Sequence, residues 1–344
     1  MARSAFILGG TGLVGQAVVR RLAEGGWDVV AASRGEREVP SDVAAAARVV
    51  TIDRTADDLA AAVGDRVDVL VDVVPFRRED AEQLLALKSR VGSLIAISSA
   101  AVYADAKGRT LDEATDLESF PELPVPISER QATVAPGDET YATRKAAIER
   151  ALLGQRTIPA TVVRPGAIHG PGDLMSREWY FAKRALDGRR AVVLAHRGAS
   201  RFQTTAAENL AELVRLAAQR PGTRVFNCGD PDAPTVVEIG RAIAAALDHE
   251  WAEVLLSGPP LGSVGDHPWG VPRPFVLDTT AAELELGYRP VTTYAAAAPA
   301  TCEWLRQVTA GREWQEALPK LHEHPGELFD YAAEDEFLAS LTGG

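Results

Sequence analysis

The 344-residue chain has two cysteines, Cys228 and Cys302, too few for the disulfide framework of a small secreted protein. No run of about 18 apolar residues occurs, so no segment reads as a transmembrane helix. Basic residues are outnumbered, 36 Lys and Arg against 48 Asp and Glu, for a net charge of -12 and a pI near 5.1. That balance excludes nucleic acid or an anionic membrane surface as the main partner. There is no internal repeat, and no low-complexity stretch beyond the alanine clusters at 44–47 and 295–298. His322 and His324 bracket Glu323, but one such pair does not make a metal site, and no metal is expected. Met1 to Val19 starts like a signal peptide, yet four glycines between residues 9 and 15 break its apolar region. The reading is a cytoplasmic protein. With 46% hydrophobic and 24% charged residues, the composition is that of a globular chain long enough for two lobes.

Residues 4–9 form a short apolar run ending in glycine, and an amphipathic run to about Glu24 follows the cluster Gly9-Gly10-Thr11-Gly12-Leu13-Val14-Gly15. This is strand, glycine turn, helix. Glycine is needed where the backbone turns tightly or must come close to a phosphate. The start of the helix then offers unpaired N–H groups to a pyrophosphate. The spacing, carried by Gly9, Gly12 and Gly15, is G-x-x-G-x-x-G. In this context it predicts dinucleotide binding. A second strand over 28–33 ends without the acid that would hold a ribose 2′-hydroxyl; Ser33-Arg34 stands there instead, with Arg37 beyond. A guanidinium suits a 2′-phosphate, so NADP(H) is favoured over NAD(H). Further strands at 48–52, 67–74 and 93–98, with a helix at 78–88, continue the alternation. The expected fold class is α/β, a Rossmann-type doubly wound parallel sheet with a smaller C-terminal substrate lobe.

Tyr141 and Lys145 lie four residues apart on a helix predicted to run to about Leu153, hence on one face. An ammonium beside a phenol is expected to lower the phenol's pKa and make it a usable acid and base. Ser98-Ser99-Ala100-Ala101-Val102-Tyr103 follows a central strand, where open parallel sheets bind ligands. Residues 104–137 form a long loop containing Pro121, Pro124, Pro126 and Pro136, a length usual for a lid or substrate wall. A sixth strand ends at Arg164-Pro165.

Taken in order, these pieces resemble an extended short-chain dehydrogenase/reductase of the NAD-dependent epimerase/dehydratase family. The likeness covers residues 4 to about 290 and includes Leu286-Gly287-Tyr288-Arg289-Pro290 near its end. The resemblance implies Tyr141 as catalytic acid/base and Lys145 as the residue that lowers its pKa and binds the nicotinamide ribose. It implies Ser99 as the residue holding the reacting oxygen. Together with the glycine turn and the end of the second strand, the candidate cofactor site is Gly9, Thr11, Gly12, Leu13, Val14, Gly15, Ser33, Arg34, Asp53, Tyr141, Lys145 and Pro165, Asp53 resembling the family's acid that binds the adenine amino group. Arg201 lies where sugar-nucleotide relatives place an arginine for the ligand phosphate, and Ala100, next to Ser99, and His169, close after Arg164-Pro165, are further candidates for the substrate pocket.

Three departures stand out. Val74-Pro75-Phe76 replaces a His-x-Ala-Ala-like stretch and loses a backbone donor at Pro75. The helix at 78–88 has no asparagine for a proton relay. Ala100-Ala101 stands where sugar-nucleotide dehydratases carry Asp-Glu, so elimination by that route is not expected.

The expected division is a cofactor domain at 1–165, with 201–230 returning to it, a substrate lobe at 166–200 and 231–310, and an acidic tail at 311–344. The Gly/Pro loop at 257–274, with His267 and Trp269, is a candidate cover for the substrate. Aromatics through the tail suggest that it docks on the body or on a second subunit. The functional expectation is an NADP(H)-preferring oxidoreductase on a small polar metabolite. An NAD-retaining epimerase of a sugar nucleotide or related polyol, and a non-catalytic nucleotide-binding regulator or scaffold, are the alternatives. A homodimer is the assembly the resemblance implies.

Overall fold

The structure, a computed structural model, describes residues 2–324 and 326–342. The strands are β1 (Ser4–Leu8), β2 (Asp28–Ser33), β3 (Arg48–Thr51), β4 (Val67–Asp72), β5 (Val91–Ile97), β6 (Ala160–Pro165), β7 (Ala167–His169), β8 (Ala191–Leu194), β9 (Thr204–Ala206), β10 (Arg224–Cys228) and β11 (Ala252–Leu255). Seven of them form one parallel sheet in the order β10-β6-β5-β4-β1-β2-β3. Strand order reverses between β1 and β4, and ligands of such sheets bind outside the strand ends at that point. The near-continuous apolar runs follow from burial on both faces: Phe6, Ile7, Val69, Leu70 and Val71 are fully enclosed.

Five helices frame the first half: α1 (Leu13–Glu24), α2 (Ser41–Ala46), α3 (Leu59–Val63), α4 (Arg78–Ala86) and α5 (Tyr141–Leu153). α2 and α3, only six and five residues long, are too short to show a helical period in the sequence. Asp58 caps α3 through two backbone N–H groups.

The chain divides into two compact units. The first holds Met1–Gly166, Ala207–Gly229 and Leu277–Val291. The stretch 277–291 had been expected in the substrate lobe. It returns to the first unit because Ile127 pairs with Leu277, Asp278 N donates to Ile127 O, and the Tyr288 hydroxyl reaches Asn209 O. The second unit holds Ala167–Ala206, Asp230–Val276 and Thr292–Gly344. Its two-stranded pieces, β7 with β9 and β8 with β11, lie around a core containing Trp179, Tyr180, Phe181, Ile239, Trp269 and Leu305. Residues of the acidic tail belong to this core: Glu334 pairs with the buried Arg184, and Leu321 and Leu328 are enclosed. Among the described residues, no helix is long and apolar enough to cross a membrane.

Candidate active site

The glycine turn joins β1 to α1. Gly9 has φ of +79°, and a Cβ there would meet Val73 at 2.7 Å. A Cβ on Gly15 would lie 2.1 Å from Gly9 O, so Gly15 is demanded by the turn itself. Gly12 is different. Its φ is -84°, and the nearest atoms to a Cβ would be Gly9 O at 3.5 Å and Arg37 Nη1 at 3.7 Å. A Cβ at Gly12 would thus make only ordinary contacts, so packing does not demand glycine there, and close approach of a phosphate to the backbone is the remaining reason for it. No side chain caps α1, and its first turn holds no acidic residue. Its free N–H groups and positive dipole end suit an anion. Thr11 is buried beside the turn, and its carbonyl accepts from the Gln16 side chain. The turn, with Leu13 and Val14 opening the helix, fits the pyrophosphate of a dinucleotide.

At the end of β2, Ser33 Oγ accepts from Gly35 N, and the exposed Arg34 pairs with the exposed Glu36 at 2.9 Å. Asp53 is occupied by Thr55, whose N–H and hydroxyl both donate to it, and these bonds hold its carboxyl below the usual range.

Ser99, Tyr141 and Lys145 come together. Ser99 follows β5 and caps a short 3₁₀ turn by accepting from Ala101 N at 3.1 Å. Tyr141 opens α5, which is capped by Thr140 and tied to the 104–137 loop through Asp112, an acceptor from Ala142 N at 2.7 Å. Ser99 lies near enough to the Tyr141 hydroxyl to favour its phenolate. Lys145 Nζ lies 5.7 Å from the centre of the Tyr141 ring and donates to Pro75 O at 2.8 Å and Ile97 O at 3.0 Å.

The electrostatics correct one expectation. Lys145 does not depress the phenol. Tyr141 keeps 37% of its surface exposed, yet desolvation of its hydroxyl raises its pKa above 10, with the neighbouring Ser99 pulling the other way. It is the lysine that moves, down to about 8, because burial disfavours its charge. Proximity on the helix face was legible from spacing, but the Pro75 and Ile97 carbonyls that engage the ammonium were not.

Sequence reasoning missed the layer below. Glu149, one turn past Lys145, accepts from Ser98 Oγ at 2.5 Å and from both forks of Arg164, at 3.0 and 2.5 Å. The Arg164 guanidinium also sits 4.9 Å from the centre of the Tyr103 ring, and the Tyr103 hydroxyl donates to Asn227 at 2.6 Å. The Lys-x-x-x-Glu spacing was the available signal for Glu149. Pro165 ends β6 in register with Cys228.

The suggested substrate residues fall in different settings. Ala100 is buried, directly after Ser99. His169 is in the second unit and fully enclosed, 2.7 Å from Asp230 and ring-packed on Tyr294 at 4.8 Å. Its environment is that of a satisfied core histidine. Arg201 is exposed and donates through Nε to Ala233 O. His267 and Trp269 are buried at 3% and 2% exposure, so this part of the 257–274 loop is a packing anchor within the second unit. Among the described residues, no cluster of side chains could hold a metal.

The sheet, the glycine turn and the Ser-Tyr-Lys group define a dinucleotide-binding enzyme of the Rossmann type. Comparisons with known proteins agree. The profile of the "NAD dependent epimerase/dehydratase family" matches residues 5–229. The chain belongs to that family and is an enzyme of the extended short-chain dehydrogenase/reductase type. A search of curated proteins finds no match. Among solved structures it is similar to UDP-N-acetylglucosamine 4-epimerase from Bacillus cereus, with TM-score 0.68, 18% identity, and coverage of 89% of this chain and 100% of that one. MoeE5 in complex with UDP-glucose and NAD aligns with TM-score 0.65 at 20% identity, covering 88% and 99%. The dTDP-glucose 4,6-dehydratase from Bacillus anthracis in complex with NAD aligns with TM-score 0.66 at 16% identity, covering 90% and 99%.

Proposed function

We propose that this enzyme interconverts a secondary alcohol and a carbonyl on a nucleotide-activated sugar or related polyol, and that it does so as an NAD-dependent epimerase. The observation that carries the chemistry is the convergence of Ser99, just past β5, and the buried Lys145, 5.7 Å from the ring centre, on Tyr141. Ser99 would orient the reacting oxygen, and Tyr141 would take its proton in one direction and return it in the other. A nicotinamide, when bound, accepts or returns the hydride at the carbon bearing that oxygen. The glycine turn, Ser33, Arg34, Asp53, Lys145 and Pro165 are the residues that would hold the cofactor. Support for a sugar nucleotide and for NAD comes from the complexes of the similar structures, which hold UDP-glucose and NAD or NAD. Ala100-Ala101 brings no carboxyl pair beside Ser99, which weighs against elimination.

A second reading, a net reductase preferring NADP(H), is favoured by one observation. β2 ends without an acid, and the Arg37 guanidinium stands beside Gly12 with Arg34 close in sequence. The test is made on fresh protein. Bound nucleotide is released by denaturation and identified, and emptied protein is titrated with NADH and NADPH. Retained NAD and 4-epimerisation of UDP-glucose or UDP-glucuronic acid support the first reading. Empty protein that prefers NADPH favours the second. In either case Tyr141→Phe should lower turnover about 10²- to 10⁴-fold with nucleotide affinity nearly unchanged; undiminished turnover would overturn the acid/base role.

A further inference from the structure

The loop between β4 and α4, residues 73–77, presents the Pro75 carbonyl to Lys145. Its backbone donors are all placed. Val73 N donates to Leu8 O, Val74 N to Asp72 Oδ1 at 3.0 Å, and Phe76 N and Arg77 N to Asp80 Oδ2 at 2.6 and 2.9 Å. Pro75 has no donor, so the loop makes its turn on two carboxylates, one at each end. Arg54 joins them. Its Nη1 donates to Asp72 Oδ2 at 2.6 Å, its Nη2 to Asp80 O at 3.2 Å, and its Nε lies 3.3 Å from Asp80 Oδ1. Gln83 braces the arginine from both sides, accepting from Nε at 3.0 Å and donating to Arg54 O at 2.7 Å. The Arg54 side chain is 13% exposed and that of Asp72 fully buried. A planar fork can serve several acceptors at once, which a point charge cannot.

We infer that Arg54 is a positioning residue, whose guanidinium ties Asp72 to Asp80 and so fixes the loop that receives Lys145. It rests on the reading of Lys145 as the partner of Tyr141. The groups whose charges bear on Lys145 are Asp72 at the end of β4, Asp80 in α4 and Glu149 in α5, with Glu149 engaged by Arg164. Arg54 is the cation that balances the first two. It therefore sets where the ammonium sits.

The experiment follows Lys145 directly, not turnover, so it can fail while the catalytic reading stands. The chain has five lysines, and ¹³C labelling at lysine Cε gives one signal each, Lys145 being assigned by its loss in Lys145→Met. In the wild type that signal should titrate near 8. Arg54→Met removes the cation that balances Asp72 and Asp80 and frees the loop that receives the ammonium, so the midpoint should move by about half a unit or more. Amide exchange at Val74, Phe76 and Arg77 should quicken about tenfold or more, a loss of roughly 1.4 kcal/mol of protection. Arg54→Lys keeps the charge but loses the fork. Should Arg54→Met not fold, the same acceleration of exchange is expected in Arg54→Lys. A folded variant whose Lys145 titration and loop exchange both match the wild type would overturn the inference.

Discussion

At the scale of single residues, the glycine turn separates what folding requires from what a ligand requires. Gly15 and Gly12 look alike in the sequence, as members of one motif. A methyl on Gly15 would run into backbone, Gly9 O at 2.1 Å and Gly10 Cα at 2.6 Å. Backbone cannot swing aside as a side chain can, so Gly15→Ala should cost about 3 kcal/mol or more in stability. Gly12→Ala meets nothing closer than 3.5 Å at an ordinary φ. Its melting temperature should hold within about 2 °C, while affinity for the preferred dinucleotide, read by fluorescence titration, drops about tenfold or more. A Gly12→Ala protein that binds as tightly as wild type would remove the phosphate from this turn. Tyr141 and Lys145 teach the same lesson in charge. Spacing told that they share a helix face, but the sign of each shift depends on burial and on the Pro75 and Ile97 carbonyls, which no spacing reports.

At the scale of elements, α5 is seated on β5 and β6 by a buried ion pair. Glu149 and Arg164 are 5% and 6% exposed at their side chains, and Ser98 completes the carboxylate's shell. Burial works against the Arg164 charge, but the bonds to Glu149 outweigh it and hold its pKa above the ordinary value, so it stays charged throughout. Removing the carboxylate's charge with Glu149→Gln leaves that guanidinium buried without compensation. The expected loss is about 3 kcal/mol of stability in urea unfolding followed by far-UV circular dichroism. Because Ser98 precedes Ser99, and α5 carries both Tyr141 and Lys145, the variant should also lose turnover beyond its loss of folded fraction. A loss under about 1 kcal/mol would mean that the pair is neutral in the fold. The parallel strands, α1 and α5 were legible because long apolar runs and 3.6-residue periodicity survive in a single sequence. The pair itself joins residues 15 apart, through side chains each of which reads alone as a surface charge. The short α2 and α3, the latter resting on its Asp58 cap, span too few residues for a local period, and the return of 277–291 to the first unit rests on long-range pairings.

At the scale of the whole molecule, the two units should answer differently to acid. Tryptophan reports mostly on the second: of six, only Trp27 lies in the first. His267 is enclosed in the second unit, neither ring nitrogen has a partner among the described residues, and burial pushes its pKa down to about 3. An unfolded histidine takes up its proton near 6.5, so the unfolded state binds more protons between pH 6.5 and 3. The stability associated with His267 is therefore whole above 6.5 and is lost as the pH falls through that window. Asp173, in the same unit, has the opposite sign: burial raises it from 3.8 to about 6, so the folded state binds the extra proton between those values. The two slopes oppose each other from about 6 to 3.8, which masks the histidine in the wild type. His267→Leu should unmask the aspartate. Tryptophan-detected unfolding of that variant should show stability rising, relative to wild type, as the pH falls from 6.5 toward 4, by about 2 kcal/mol or more. Asp173→Asn should show the reverse, with the second unit failing earlier in acid than in the wild type. Parallel stability curves for His267→Leu and wild type across that range would mean that His267 takes up a proton in the folded unit as readily as in the unfolded chain.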